Sequence, residues 1–317
     1  MHDFGTVILA VIPVFAIVLA GVLLRRAGWL EPSADRSLLT LTINVLMPAL
    51  ILDSILRNQA LKTLGTVCLA PWVGFSTVAL GVGLALAVRR LSGLTEPKSV
   101  GTFALCIGVY NYAYVCLPLA VSLFPGATDT IGVLFAHNLG TEIAMWIFGL
   151  LLLHAAPGKS QWKQVLNAPV ATILIAVPLN YFGAEQWIPG PVLATAKMLG
   201  QCALPLGLIL VGATAADYLR EFRATPGWRL ILVSCLLRLG LLPALFLCIA
   251  KFLPCTVELK RVIIMQSGMA AAIFPIIMCK HYGGSPSVAV RIVIGTSIVS
   301  FLTMPLWVRL GMRFAGI

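Results

Sequence analysis

The stretch GVYNYAYVCLPLA, residues 108–120, lies inside a long apolar run and puts three tyrosines, an asparagine and a proline where leucine would be the default. Pro118 removes a backbone donor, and its ring clashes with the turn before it. A helix broken inside lipid survives only where its freed backbone groups are buried in protein or line a wet cavity. The stretch therefore reads as the interruption of a membrane-spanning helix, at a place that does more than anchor the chain.

The sequence around it is that of a membrane protein. Of 317 residues, 60% are hydrophobic and 10% charged, and mean hydropathy is +0.99; a soluble domain carries about 25% charge. An all-α integral membrane protein folded as one bundle is expected. Spans of about 20 apolar residues are read at 4–24, 37–56, 64–88, 99–124, 130–153, 168–183, 191–215, 228–251, 260–280 and 286–309. The fourth is interrupted, the sixth is short and the ninth is rich in small residues. The net charge of +11 is not a nucleic-acid signal, because Lys and Arg lie in short clusters between apolar runs. The first apolar run has no basic region before it, and Arg25 and Arg26 follow it, so it reads as a span rather than a leader. With the chain start outside the cytosol, thirteen basic residues fall in cytosolic loops and seven outside, while Lys197 and Arg238 lie within spans. That bias predicts both ends outside the cytosol, in a plasma membrane or bacterial inner membrane. The eight cysteines are scattered without a CxxC pair and read as small buried hydrophobes.

An internal repeat is visible. Asn44-Val-Leu-Met-Pro48 is echoed by Gln201-Cys-Ala-Leu-Pro205, and Pro118 by Pro275, both at an offset of 157 residues; Pro13-Val is echoed by Pro169-Val at 156. Five spans per half force opposite insertion of the halves, which is an inverted repeat and a transporter architecture. The expected units are residues 1–153, a cytosolic linker 154–167, and residues 168–317. Two symmetric breaks, in spans four and nine, predict discontinuous helices meeting near the midplane, where half-helix termini can bind an ion.

Polar residues inside spans are the site candidates. Asn111 offers donors and acceptors beside Tyr110, Tyr112 and Tyr114, and not all three rings can face one cavity, because residues i and i+2 point apart on a helix. Substrate contacts are expected from Asn111, Tyr110 and Tyr114, with Gln266, Ser267 and Gly268 as counterparts on span nine. Asn44 and Gln201 each precede a proline by four residues, and either line the cavity or satisfy carbonyls beside the kinks. A charge at mid-membrane costs about 2.5–3.5 kcal/mol on insertion scales. Glu142 and Arg238 therefore either pair with each other, or Glu142 is a protonatable coupling site. His137 reads as a hydrogen-bonded core histidine or as part of a relay with Asn138 and Glu142. Asp53 and Lys197 lie at matching depth in spans two and seven, either as an ion pair or with Lys197 snorkelling to the interface. No metal-ligand spacing, nucleotide-binding motif, HExxH or GxSxG occurs. No catalytic residue, metal or cofactor is assigned, and only a coupling proton or sodium ion is a candidate.

"NYAYVCLPL" (111–119), "LGQCALPLGLILVGA" (199–213), "FPIIMCKHYG" (274–283) and "VIGTSIVSFLTMPLW" (293–307) resemble, in order and spacing, the fourth, seventh, ninth and tenth helices of the auxin efflux carrier family. That family includes bacterial organic-anion carriers and the plant PIN auxin exporters. The resemblance implies a fold shared with bile-acid sodium symporters: a scaffold of spans 1, 2, 6 and 7, and a transport core of spans 3–5 and 8–10 that moves as an elevator. It implies Asn111 as a substrate ligand, Pro118 and Pro275 as the crossover prolines, a small organic anion (a carboxylate) as substrate, and a homodimer through the scaffold. Ala270 stands where many bacterial members carry proline, so no single member's substrate is copied. Against this secondary carrier stand an ion-coupled carrier of the bile-acid-symporter type, a channel and an intramembrane enzyme.

Overall fold

The computed structural model describes residues 4–56, 58–153, 166–224 and 227–317; the expected linker falls outside them except for its last two residues. Every regular element among the described residues is helical. Span one is α1 (Phe4–Arg26). Span two is α2 (Pro32–Leu41), a π-helical turn (Thr42–Leu46) and α3 (Met47–Ile55). Span three is α4 (Leu64–Ala87). Span four is split into α5 (Pro97–Gly108) and α6 (Cys116–Leu123). Spans five, six and seven are α7 (Thr128–Leu152), α8 (Ala168–Tyr181) and α9 (Gly190–Ala224). Span eight is α10 (Trp228–Leu236), a second π turn (Leu237–Leu241) and α11 (Leu242–Phe252). Span nine is split into α12 (Val257–Ser267) and α13 (Phe274–Tyr282), and span ten is α14 (Pro286–Ala315). Seven of these passages are long and apolar enough to cross a bilayer as continuous helices. The others are short α8 and the two split spans.

Proline explains the irregular turns. Each π turn is followed by a proline at the second position of the next helix, Pro48 and Pro243. A proline ring collides with the carbonyl four residues back, and widening the turn relieves the collision. The carbonyl displaced by Pro243 is that of Leu239, and the Trp307 indole of α14 donates to it at 2.6 Å. Pro118 and Pro275 do not sit in the breaks. They occupy the third and second positions of α6 and α13, where a missing N–H costs least. Each bars its half-helix from growing backwards, so the breaks lie just upstream, at 109–115 and 268–273.

Glycine sets the closest helix pairs. A Cβ added at Gly140 of α7 would lie 1.7 Å from the Pro71 carbonyl oxygen of α4, and one at Gly74 would lie 2.0 Å from that of His137. Likewise, Gly21 of α1 meets Ile209 and Gly212 of α9 meets Val18, both at backbone oxygens. Such backbone-to-backbone approach drives helix association in lipid, where apolar burial gives no advantage. The α4–α7 pair has a counterpart in α10–α14, and α1–α9 has one in α3–α8.

The cysteines depart in part from expectation. Cys106, Cys116 and Cys279 are buried, whereas Cys68, Cys202 and Cys248 are exposed; all eight are free thiols.

Candidate functional site

The two breaks cross and are hydrogen-bonded to each other. α5 ends at Gly108, and Val109 turns extended. The Asn111 amide donates to the Ala270 carbonyl at 2.9 Å, and the Ala272 amide to the Val109 carbonyl at 3.0 Å. Tyr110 and Ala271 thereby form an antiparallel bridge. The Ala271 amide donates to Thr296 Oγ1 of α14 at 3.2 Å. α5 has 12 residues and α6 has 8, α12 has 11 and α13 has 9. At 1.5 Å per residue that is roughly 18, 12, 16 and 14 Å, so the crossing divides a hydrocarbon core about 30 Å thick near its middle.

The three tyrosines have three different settings. Tyr110 is fully buried, its hydroxyl 2.9 Å from Thr77 Oγ1 and 3.4 Å from Thr141 Oγ1. It is a strut between α4 and α7, which corrects its assignment as a substrate contact. Tyr112 donates its hydroxyl to the Glu142 carboxylate. Tyr114 is partly exposed and lies over Gly207 of α9, where an added Cβ would fall 2.6 Å from the ring. Asn111 is also partly exposed, and its carboxamide is engaged by no side-chain hydrogen bond among the described residues.

Glu142 and Arg238 do not pair. Glu142 accepts from Tyr112, from Asn167 Nδ2 at 2.7 Å and, more weakly, from Trp146 Nε1 at 3.4 Å. Neutral donors thus disperse its charge. Arg238 is fully buried and donates through Nε to the Met269 carbonyl at 2.8 Å and through Nη2 to the Gln266 carbonyl at 3.0 Å. Its guanidinium carbon sits 4.6 Å from the Tyr110 ring centroid and 5.4 Å from that of Phe246. Gln266 joins the two regions: its Nε2 donates to the Tyr112 carbonyl and to Asn138 Oδ1, both at 3.1 Å. Asn138 in turn donates to the Tyr112 carbonyl at 3.2 Å.

Other expectations are corrected by burial. Gln266, Ser267 and Gly268 are buried. The Ser267 hydroxyl is spent on the Ile264 carbonyl at 2.7 Å, and Gly268 packs on Met304. These three hold the break together and do not line a cavity. His137 is fully buried, yet neither ring nitrogen has a hydrogen-bond partner among the described residues. No hydrogen-bonded chain therefore runs from His137 to Glu142 among the described residues. Asn44 and Gln201 are exposed on α2–α3 and α9, and Asn44 lines a shallow surface groove with Arg36 and Thr40. Asp53 makes no ion pair within 4.0 Å of Lys197.

Two residues that the spacing pattern did not single out fasten the ends of one helix pair. Asn167 caps α8, its Oδ1 accepting from the Val170 amide at 3.0 Å while its Nδ2 holds Glu142. Its position just before Ala168-Pro169 is an N-cap signature legible in sequence. Asn58 donates to the Asp129 carbonyl at 3.1 Å, accepts from the Leu61 amide at 3.1 Å, and offers its own carbonyl to Asn180 at 2.8 Å.

Comparison with known proteins follows the same lines. A profile described as "Membrane transport protein" matches residues 6–164 and 153–308. The chain is similar to an "Uncharacterized transporter" of Methanothermobacter thermautotrophicus, 25% identical over 305 residues that cover 94% of this chain and 96% of the relative. Crossed broken helices in an all-helical apolar chain, and a profile match along nearly its whole length, place it: this chain belongs to the membrane transport protein family, the auxin efflux carrier-like group of integral membrane transporters.

Proposed function

We propose that the protein is a secondary carrier of a small organic anion, a carboxylate, bound beside the crossing of the split spans. The observation that carries this reading is the Asn111 carboxamide: partly exposed, free of side-chain hydrogen bonds among the described residues, and held at the crossing by its own backbone bridge to Ala270. A polar group fixed next to α6 and left without a partner is arranged for a ligand. Charge supports an anion. Arg238 covers the carboxyl end of α12, which cancels one negative helix end and leaves the positive amino ends of α6 and α13 at the crossing.

In this reading α1, α2–α3, α8 and α9 form the scaffold and the remaining helices the moving core, related by the inverted repeat. The matched packing of α4–α7 with α10–α14, and of α1–α9 with α3–α8, supports that division. Tyr114 against Gly207 is the point where the crossing meets the scaffold. The membrane is a plasma membrane with both ends of the chain outside the cytosol, and the scaffold is the surface for a second copy.

The test is uptake into proteoliposomes of labelled mono- and dicarboxylates by wild type and Asn111→Ala. Saturable uptake of one acid, reduced at least tenfold by the substitution, is expected. Flux that does not saturate, or that Asn111→Ala leaves unchanged, refutes the site.

A further inference from the structure

A buried guanidinium needs an account, because an unpaired cation is costly in a low-dielectric interior. Among the described residues, Arg238 has no carboxylate within ion-pair distance. Its partners are the carbonyls of Gln266 and Met269 at the carboxyl end of α12, and the faces of Tyr110 and Phe246. Its third nitrogen, Nη1, is buried without a partner among the described residues. Carbonyls released where a helix unwinds in a membrane are ligands suited to a free cation. Here they are already engaged by a cation that the chain itself supplies.

The other split span is closed differently. The position 157 residues before Arg238, the offset that relates the prolines of the two halves, is Gly81. A Cβ on Gly81 would lie 2.8 Å from Gly108 Cα and 3.2 Å from the Ile107 carbonyl oxygen. The carboxyl end of α5 is therefore packed shut by backbone, and that of α12 by a side chain.

We propose that Arg238 is the built-in cation of the crossing: it fills the place at the carboxyl end of α12 that a free cation would otherwise take, and it holds both breaks in register. It grips the span-nine break through Gln266 and Met269, and the span-four break through the Tyr110 ring. The Tyr110 hydroxyl passes the constraint to Thr77 and Thr141 on α4 and α7. Arg238 is a positioning residue that never meets substrate. A consequence, which rests on the carrier reading above, is that transport needs no sodium.

The experiment uses the full chain in lipid nanodiscs as wild type, Arg238→Ala and Arg238→Lys. Thermal melting is followed in choline, sodium or methylguanidinium chloride at equal, low concentration. Amide hydrogen exchange is followed across residues 109–112 and 269–272. Arg238→Ala is expected to melt several degrees lower than wild type and to lose protection of the Asn111 and Ala272 amides. Methylguanidinium restores both in a saturable manner and leaves wild type unmoved. Arg238→Lys, which keeps the charge but cannot span two carbonyls in a fixed fork, falls in between and supplies the result if the alanine variant does not fold. The proposal is overturned if neither variant loses protection at the bridge, or if methylguanidinium acts on the variants no more than choline does. A sodium gradient is expected to leave wild-type uptake unchanged, and uptake that requires sodium also overturns it. If no carboxylate moves under any gradient, the carrier reading fails while the melting and exchange results still decide the role of Arg238.

Discussion

Gly140→Ala is the most direct test of how the core is held. The added methyl would lie 1.7 Å from the Pro71 oxygen, 2.6 Å from its carbonyl carbon and 2.9 Å from the Phe75 amide nitrogen. All three are backbone atoms of α4, so no rotamer change gives relief. A carbon meets an oxygen comfortably no closer than about 3.2 Å, and α4 and α7 must part by roughly 1.5 Å at this level. Helices in lipid associate through contact rather than apolar burial, so the gap is felt in full. Overpacking costs about 1–3 kcal/mol. The contacts of Tyr110 with Thr77 and Thr141, which bridge the same two helices, lengthen with it, at about 1 kcal/mol each. Against this, Ala gains about 1 kcal/mol of helix propensity over Gly. The net loss is about 3 kcal/mol, or about 6–12 °C in melting temperature. Gly83 on the facing helix α4 has open space around it, and Gly83→Ala should be neutral or slightly stabilising. Thermal melting of both variants in nanodiscs checks the reasoning, and a Gly140→Ala protein that melts with Gly83→Ala refutes it. Adding Gly74→Ala should cost less than it does alone, because the helices have already parted.

The remaining predictions concern single contacts. Asn58→Ala removes the hub joining the α3–α4 loop to α7 and α8 and should cost about 2–4 kcal/mol in unfolding experiments, since buried partners are stranded. Trp307→Phe keeps an aromatic ring but deserts the Leu239 carbonyl freed by Pro243; a loss of about 1–2 kcal/mol is expected in the same assay. Gly207→Ala pushes a methyl into the Tyr114 ring. On the carrier reading it should raise KM about tenfold with little change in melting. Asn167→Ala removes both the donor to Glu142 and the cap of α8, and should lower melting by more than Glu142→Gln, whose amide can still accept from Asn167 and donate to the Tyr112 hydroxyl.

Apolar runs located the helical passages to within about five residues, because a membrane permits little except helix, but the carboxyl ends of α9 and α14 run nine and six residues beyond the spans as read. The breaks were legible for a similar reason: Pro118 and Pro275 cannot continue a helix backwards, and only a split span accommodates that inside lipid. What the pattern could not supply is which way each polar side chain points. Glu142 and Arg238 read either as partners or as a coupling site and a separate cation because both sit at mid-depth, and depth says nothing about azimuth. The Glu142 carboxylate faces α8 and the Tyr112 hydroxyl, while Arg238 faces the unwound carbonyls of span nine. Those carbonyls carry no side-chain signature, so the strongest acceptors for Arg238 were invisible in a string of residue types. Tyr110 and Tyr114 were separated only by the unwinding at Val109, which sends one ring into the core and the other toward α9.

On the five-plus-five reading, symmetry and function divide the chain between them. Positions 157 residues apart keep the prolines beside the span-two and span-seven kinks, Pro48 with Pro205, and beside the breaks, Pro118 with Pro275. They lose their chemistry around the crossing. Asn111 corresponds to Gly268, Tyr110 to Ser267, Glu142 to Val299 and Gly81 to Arg238. A site built only to cross two broken helices would have no reason to differ between halves, since backbone bridge and proline suffice for that. The polar groups are placed unequally, with the free carboxamide of Asn111 on span four and the fixed cation of Arg238 beside span nine. On the carrier reading, a ligand at this crossing meets the Asn111 carboxamide from span four and no matching polar group from span nine, where the corresponding Gly268 is buried, and an anion with one polar end and one apolar body fits that asymmetry better than a symmetric ion.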